Sequence, residues 1–322
     1  MSIISQTLLT FLSAGDRLVV HRCVYDNVMK LLRNHLTRLG IDVAFVDMTD
    51  PATLRAALAE KPANVVHFEP YVNPTCEVLD APALIRAAKD AGALCIVDHT
   101  WLTPYLFQPL RHGADLVIHS ATKYLGGHGS VMGGIICGAG RHVTAIRETM
   151  SAMGGILRPF DAFLITQGVK TLALRMRQHT ASALDVAEFL EAHPKVARVR
   201  YGGLPSWSGH AVAATYLKGT GGMMGVEWKD EATWRDFRGR LKLCMPWVSL
   251  GDVVTLVSKR DPEPDRASPP RLPRDTRSSR TYPRESPPSS TAKGASCGRS
   301  WRSRRTAAWR WPRGRTSGLG SR

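Results

Sequence analysis

The chain of 322 residues has no C-x-x-C pair, and its six cysteines, at 23, 76, 95, 137, 244 and 297, are widely scattered. Structural zinc needs clustered thiolates or imidazoles, and a disulfide framework needs a dense cysteine pattern. Neither organises this sequence, so no metal site is expected, and the scatter suits reduced thiols in a cytosol. No apolar run approaches the roughly 18 residues of a membrane-spanning helix. The opening stretch M-S-I-I-S-Q-T-L-L-T-F-L lacks the basic lead and small-residue cleavage site of a secretory signal. These absences describe a soluble, cytoplasmic chain, long enough for two domains with sizeable cores.

Acidic residues are also few, with 27 Asp or Glu against 43 Lys or Arg and a net charge of +16. Their distribution decides what this means. Residues 261–322 hold fourteen Arg and one Lys against five Asp or Glu, which is +10 of that total. The same segment contains no Val, Ile, Phe or Met, so it cannot build a core and is expected to be disordered. The remaining +6, spread over 260 residues, is ordinary for a soluble protein. Arg, Pro, Ser and Trp mixed as in S-W-R-S-R-R-T-A-A-W-R-W-P resemble out-of-frame reading of a GC-rich gene, which suggests a frame shift near Lys259–Asp261. The alternative is a basic tail that binds nucleic acid through phosphates and stacked Trp.

In the rest of the chain, short apolar runs alternate with amphipathic stretches of about ten residues. Helices are expected over Ser2–Leu12, Asn27–Leu39, Pro51–Glu60 and Ala81–Ala91, with strands over Leu18–His21, Asp42–Val46, Asn64–Phe68 and Ala93–Val97. Wholly apolar strands separated by helices call for an α/β fold, a mostly parallel sheet covered on both faces, with its ligand site at the carboxyl ends of the strands. Beyond these, a strand is expected over Val131–Cys137, a helix over His142–Met153 and a long helical connection over Phe160–Ala183. Further strands are expected over Val196–Tyr201 and Met224–Trp228, and a helix over Asp230–Leu243.

The most informative stretch is Asp115–Gly134, D-L-V-I-H-S-A-T-K-Y-L-G-G-H-G-S-V-M-G-G. The apolar run Leu116–Ile118 delivers His119, Ser120, Thr122 and Lys123 at its end, followed by Gly126, Gly127 and Gly129. Burial disfavours the ammonium form of lysine, lowers its pKa and leaves a nucleophilic amine. Hydroxyls at Ser120 and Thr122 can hold an anion while that amine bonds a carbonyl carbon. Other strand ends deliver Tyr25 in C-V-Y-D-N, Asn73 in E-P-Y-V-N-P-T and Asp98 in V-D-H-T-W. Taken alone, Asp98 is as well read as a helix cap, Asn73 as Asn-Pro turn chemistry and Ser249 in S-L-G-D as a turn residue.

Asp115–Gly129 fits the signature D-L-x-x-x-S-A-T-K-Y-L-x-G-H-G throughout, and the chain therefore resembles the Cys/Met-metabolism, or trans-sulfuration, family of pyridoxal 5'-phosphate (PLP) enzymes. The resemblance runs over about residues 1–260. It implies PLP-dependent transferase-like fold type I, with a PLP-binding large domain at 1–168, a smaller α/β domain at 169–260 and the basic tail at 261–322. It implies that Lys123 bonds PLP and that Ser120 and Thr122 hold its phosphate. Asp98 faces the pyridine nitrogen and Asn73 the phenolic oxygen. Tyr25 stacks on the ring and assists the leaving group, and Ser249 lies near the substrate carboxylate. The implied substrate is a sulfur amino acid or an activated homoserine. Gamma-elimination, of the methionine or cystathionine gamma-lyase type, is the first reading. Gamma-replacement, of the O-acetylhomoserine sulfhydrylase or cystathionine gamma-synthase type, is the alternative. The implied assembly is a homo-oligomer, a dimer or tetramer; no membrane partner is expected, and nucleic acid enters only through the alternative reading of the tail.

Some expected pieces differ. The pattern Y-G-G-T-Y after the tyrosine reads Asp26-Asn27-Val28 here, and His99 replaces the usual Asn. The family's Tyr-x-Arg arm, its Ser-Gly-Met phosphate turn and its R-x-S-x-G-L-E segment are not found. The sequence thus suggests a late start as well as a shifted end, and a chain with little activity of its own.

Overall fold

A computed structural model describes residues 1–259, and the expectations for the tail at 261–322 lie outside the described residues. The strands are β1 (Arg17–His21), β2 (Asp42–Val46), β3 (Val65–Phe68), β4 (Leu94–Asp98), β5 (Leu116–Ser120) and β6 (Gly134–Gly138), joined in the order β2-β1-β3-β4-β5-β6. The first five are mutually parallel and β6 runs antiparallel on the edge beside β5. This is the α/β architecture expected from the alternating pattern.

Side chains alternate across a strand, and both faces of this sheet are apolar for that reason. Val19, Val66, Cys95, Val97 and Val117 point to one side, where α4 (Ala81–Asp90) contributes Leu84 and Ile85. Leu18, Val20, Val65, Ile96, Leu116 and Ile118 point to the other. There they meet Ile3 and Leu8 of α1 (Ser2–Phe11), Val28 of α2 (Asp26–Leu31) and Ile146 of α6 (Gly140–Met153). At about 25 cal/mol per Å2 of apolar surface, these two layers supply most of the drive to fold.

Local chemistry sets the element ends. Asp50 caps α3 (Pro51–Glu60) by accepting from the Ala52 N–H, and Asp80 caps α4 by accepting from the Ala83 N–H, each with Pro in the first turn. The helical path of α2 widens into a π-helical turn over Leu32–Leu36, tightens to a 3-10 turn over Thr37–Leu39 and ends at Gly40, whose φ of 80° is left-handed. Short turns that the alternating pattern did not reveal lie between β4 and β5, including α5 (Thr103–Leu106).

One expectation needs revision. The connection read as one helix over Phe160–Ala183 is two, α7 (Pro159–Lys170) and α8 (Leu172–Glu191), broken at Thr171. The Gly168 carbonyl accepts from the Thr171 N–H, the Thr171 hydroxyl and Arg175 Nη2, at 3.2, 3.2 and 2.7 Å. Three donors converging on one carbonyl turn the chain out of regular helix. After α8 come β7 (Val196–Arg200), α9 (His210–Tyr216), β8 (Gly225–Trp228) and α10 (Glu231–Arg240). β7 and β8 form a separate antiparallel pair, over which Ala183 and Ala187 of α8 pack against Val196, Val199 and Tyr201. Alpha9 was not foreseen, because its seven residues, His210–Tyr216, fall in a Gly- and Ser-rich stretch.

Gly168 shows how tightly these parts fit. A Cβ there would fall inside the contact distance of the Gly126 and Leu125 carbonyl oxygens, in the loop that follows Lys123. Backbone cannot retreat as a side chain can. Gly168→Ala is therefore expected to lower the unfolding free energy by about 1–3 kcal/mol. Gly140→Ala meets nothing within 4 Å and should be neutral or stabilising by up to about 1 kcal/mol. Urea denaturation midpoints of the two variants check both, and equal midpoints would contradict the packing argument.

Candidate active site

All the strand-end residues singled out above lie at the carboxyl edge of the parallel sheet. Asp98 ends β4, and its partner in the β5 ladder is Ile118, so the segment from Ser120 to Lys123 emerges on the neighbouring strand. Tyr25 follows β1, and Asn73 follows β3. Since β2 lies on one side of β1 and β3 on the other, the gap between β1 and β3 is where the strand order reverses, the usual seat of a ligand in such sheets.

Lys123 is half-buried, and its Nζ donates to Ser249 Oγ at 2.8 Å. Desolvation by burial lowers its pKa below 10.5, which raises the fraction of nucleophilic free amine. The structure thus brings together two residues 126 positions apart. Ser249 sits in the turn Ser249–Asp252, whose Gly251 has a φ of 77° and packs directly on the backbone of Lys123 and Tyr124.

The two hydroxyls before Lys123 differ. Ser120 donates its backbone N–H to Thr100 Oγ1 at 2.7 Å, and its own hydroxyl makes no protein hydrogen bond among the described residues. The Thr122 hydroxyl accepts from the Gly133 N–H at 3.0 Å and donates to the Gly133 carbonyl at 3.3 Å, fastening the loop between β5 and β6. Thr122 also lines a cavity of about 230 Å3 together with Ser130, Met132, Ser249 and Asp252.

Asp98 accepts from the Thr100 N–H at 3.0 Å, and no Lys or Arg pairs with it among the described residues. Tyr25 is 38% exposed and its hydroxyl accepts from Asn27 Nδ2 at 3.0 Å. Asn73 precedes a cis peptide to Pro74, and its carbonyl accepts weakly from the Cys23 thiol at 3.9 Å. His99 is a core residue. It is 1% exposed, donates from Nε2 to the Phe107 carbonyl at 2.9 Å and packs on the Phe107 and His119 rings. Burial, and after it the charge of His119, push its pKa down to about 3, so it stays neutral.

Two further residues have structural roles that the sequence did not reveal. Arg175, in T-L-A-L-R-M, donates from Nη1 to the Tyr124 carbonyl and from Nη2 to the Gly168 carbonyl, both at 2.7 Å. It clamps the residue after Lys123 to α7. Glu69 accepts from the backbone N–H groups of Tyr25 at 2.7 Å and Asn73 at 3.0 Å. Its signal in the sequence is the opening acid of E-P-Y-V-N-P-T, directly after the strand V-V-H-F.

A parallel α/β sheet with a buried lysine, an unpaired carboxylate on the next strand and a hydroxyl pair at its carboxyl edge defines a class of cofactor-bearing enzyme folds. The donor set fits PLP: an amine of lowered pKa for its aldehyde, a carboxylate without a cation for its ring nitrogen, and an unengaged Ser120 hydroxyl for its phosphate. The family model described as Cys/Met metabolism PLP-dependent enzyme matches residues 1–280, and the chain belongs to that family.

The relatives agree. The cystathionine beta-lyase of Lactococcus lactis subsp. cremoris is 39% identical over 251 residues, 78% of this chain and 66% of that protein. The L-methionine gamma-lyase of Fusobacterium nucleatum subsp. polymorphum is 40% identical over 262 residues, 80% of this chain and 66% of that protein. The chain therefore spans just under two thirds of the length of these relatives. Among solved structures, cystathionine gamma synthase from Xanthomonas oryzae pv. oryzae, in complex with aminoacrylate and cysteine, has a TM-score of 0.77 at 37% identity, covering 80% of this chain and 67% of that one.

Labelling the protein with PLP and borohydride, followed by peptide mapping, should find the label on Lys123. The labelling rate should rise with pH to a midpoint below 10.5, because burial disfavours the ammonium form. A label elsewhere, or a midpoint at or above 10.5, would contradict the site.

Proposed function

We propose that this chain carries the active site of a PLP-dependent enzyme of sulfur amino-acid metabolism, and that its reaction is gamma-elimination of the methionine or cystathionine gamma-lyase type. The observation that carries this reading is the half-buried amine of Lys123 just past the end of β5, with Asp98 ending the adjacent strand β4. Bound PLP supplies an electron sink for negative charge developing on the substrate's carbon skeleton.

The chain's own residues do the rest. Asp98 would hold a proton on the ring nitrogen, for which a carboxylate without a competing cation is suited. Lys123 would bond the cofactor and would serve as the base that takes the alpha proton and moves protons at the beta carbon. Burial helps here, because a base near neutrality must hold little charge before it acts. Ser120 and Thr122 hold the phosphate and Asn73 the phenolic oxygen. Tyr25 covers the ring and assists departure of the gamma substituent. Ser249, already bonded to Lys123, receives the substrate carboxylate.

Residues 1–168 form the cofactor domain in this reading and 169–260 the second. The substrate is a sulfur amino acid or an activated homoserine, and the enzyme is a cytoplasmic homo-oligomer. No helix among the described residues is long and apolar enough to cross a membrane. Exposed Met132, Ile156, Phe160 and Phe163 give the described surface the apolar side chains that a subunit contact would cover. Gamma-replacement remains the second reading, favoured by the stretch G-G-H-G-S-V-M-G-G and by the gamma synthase among the structural relatives.

Adding PLP to the purified protein should produce a visible Schiff-base band that Lys123→Ala abolishes. Asp98→Asn should retain the band and lower turnover by at least about 100-fold, a loss of roughly 2.7 kcal/mol of transition-state stabilisation. Release of an alpha-keto acid from methionine or cystathionine supports elimination. Sulfide incorporation into O-acetylhomoserine without such release would replace that reading with the second. No band at any PLP concentration would remove both and leave the expectation of a chain with little activity of its own.

A further inference from the structure

The sheet leaves a gap in its own hydrogen bonding where the site is built. The β1–β3 ladder registers Leu18 with Val65, Val19 with Val66 and Val20 with His67, and it goes no further. One residue later, at His21 and Phe68, both strands end, and the chains run on as loops, one carrying Tyr25 and the other Asn73. Backbone donors there have lost their ladder partners and need acceptors from elsewhere. Glu69 provides them. Its Oε1 accepts from the Tyr25 N–H at 2.7 Å and its Oε2 from the Asn73 N–H at 3.0 Å. The residue is 7% exposed, and no Lys or Arg pairs with it among the described residues.

We propose that Glu69 is a positioning residue that straps the loop after β1 to the loop after β3, and so fixes where Tyr25 and Asn73 meet the bound cofactor. This rests on reading Tyr25 and Asn73 as cofactor contacts. The bonded groups are the backbone N–H groups of those very residues, so any shift of the carboxyl group moves both side chains. An isolated buried carboxylate is costly. A residue whose only task was to fill space would be apolar, and here each oxygen of the side chain accepts one backbone N–H.

The electrostatics give the strap a link to loading of the site. Burial first, and then the negative charges of Asp98 and Asp26, raise the Glu69 pKa to about 8 against the pull of the two N–H groups. His67, on β3 beside Asp98, is held neutral by burial and supplies no compensating charge. Near neutral pH much of Glu69 is therefore protonated, and one of its oxygens is a weaker acceptor. A cationic ring nitrogen against Asp98 offsets part of that repulsion. It shifts Glu69 toward the carboxylate and strengthens both bonds.

The test is a double-mutant cycle on PLP affinity, read from the Schiff-base absorbance of the full chain. Glu69→Gln keeps the shape but turns one acceptor into a donor facing an N–H. It should weaken PLP binding about ten-fold. Asn73→Ala removes the side chain that the strap places. If Glu69 acts through Asn73, the double variant should bind within about two-fold of the weaker single variant. Losses that multiply would reduce Glu69 to a general stabilising role and overturn the proposal.

Amide hydrogen exchange on the wild-type chain stands independently, and decides the matter if Glu69→Gln does not fold. The Tyr25 and Asn73 amides should be protected although both lie in loops, and PLP should increase the protection of both together. Exchange at the rate of an open loop in either amide would overturn the strap. If Asn73→Ala leaves PLP affinity unchanged while both amides are protected, the assignment of Asn73 to the cofactor fails and the strap itself stands.

Discussion

Everything in the site depends on how the loop after Lys123 is held. A lysine at the end of a buried strand could swing its four-carbon stem through a wide arc, and a mobile amine makes a poor covalent anchor. Here Arg175 bonds the Tyr124 carbonyl and the Gly168 carbonyl at once, and the bare Cα of Gly168 lets α7 lie against the Leu125 and Gly126 carbonyls. From the opposite side, Gly251 brings the Ser249 turn onto the same backbone. Charge-assisted bonds to backbone carbonyls and a side-chain-free contact leave the loop little room, so the amine that remains has one direction to point. The break between α7 and α8 is part of the same arrangement, because the carbonyl freed at Gly168 is one of those that Arg175 grips.

The second constraint is electrostatic. The carboxyl edge gathers Glu69 and Asp98, neither paired with Lys or Arg among the described residues. The nearby imidazoles of His67, His99 and His119 are all driven toward the neutral form chiefly by burial. Carboxyl groups in a desolvated edge are unfavourable for folding. In the proposed reading such an edge suits a cationic ring nitrogen, and the empty protein gives up some stability in exchange for affinity toward its ligand. The energy for that exchange comes from the two apolar layers on the faces of the sheet, which lie away from the edge and carry no charge.

The sequence by itself determined the sheet. Strands such as Val65–Phe68 and Leu116–Ser120 carry apolar residues on both faces, and only a sheet covered on both sides can bury them, so the parallel α/β class and nearly every element to Met153 were legible. It also singled out Lys123 as the candidate lysine, because S-A-T-K-Y-L-x-G-H-G is a contiguous local pattern. What it did not determine was every contact made between segments distant in the chain. Glu69 with Tyr25, Arg175 with Tyr124 and Ser249 with Lys123 are separated by 44, 51 and 126 residues. Thr171, an unremarkable residue in a helical run, breaks that run because a carbonyl three residues before it is claimed by a side chain four residues after it. Periodicity records which face of an element is apolar, and a motif records which residues stand side by side. Which buried donor reaches which acceptor is settled only when the sheet has closed and the loops at its edge must find partners away from water.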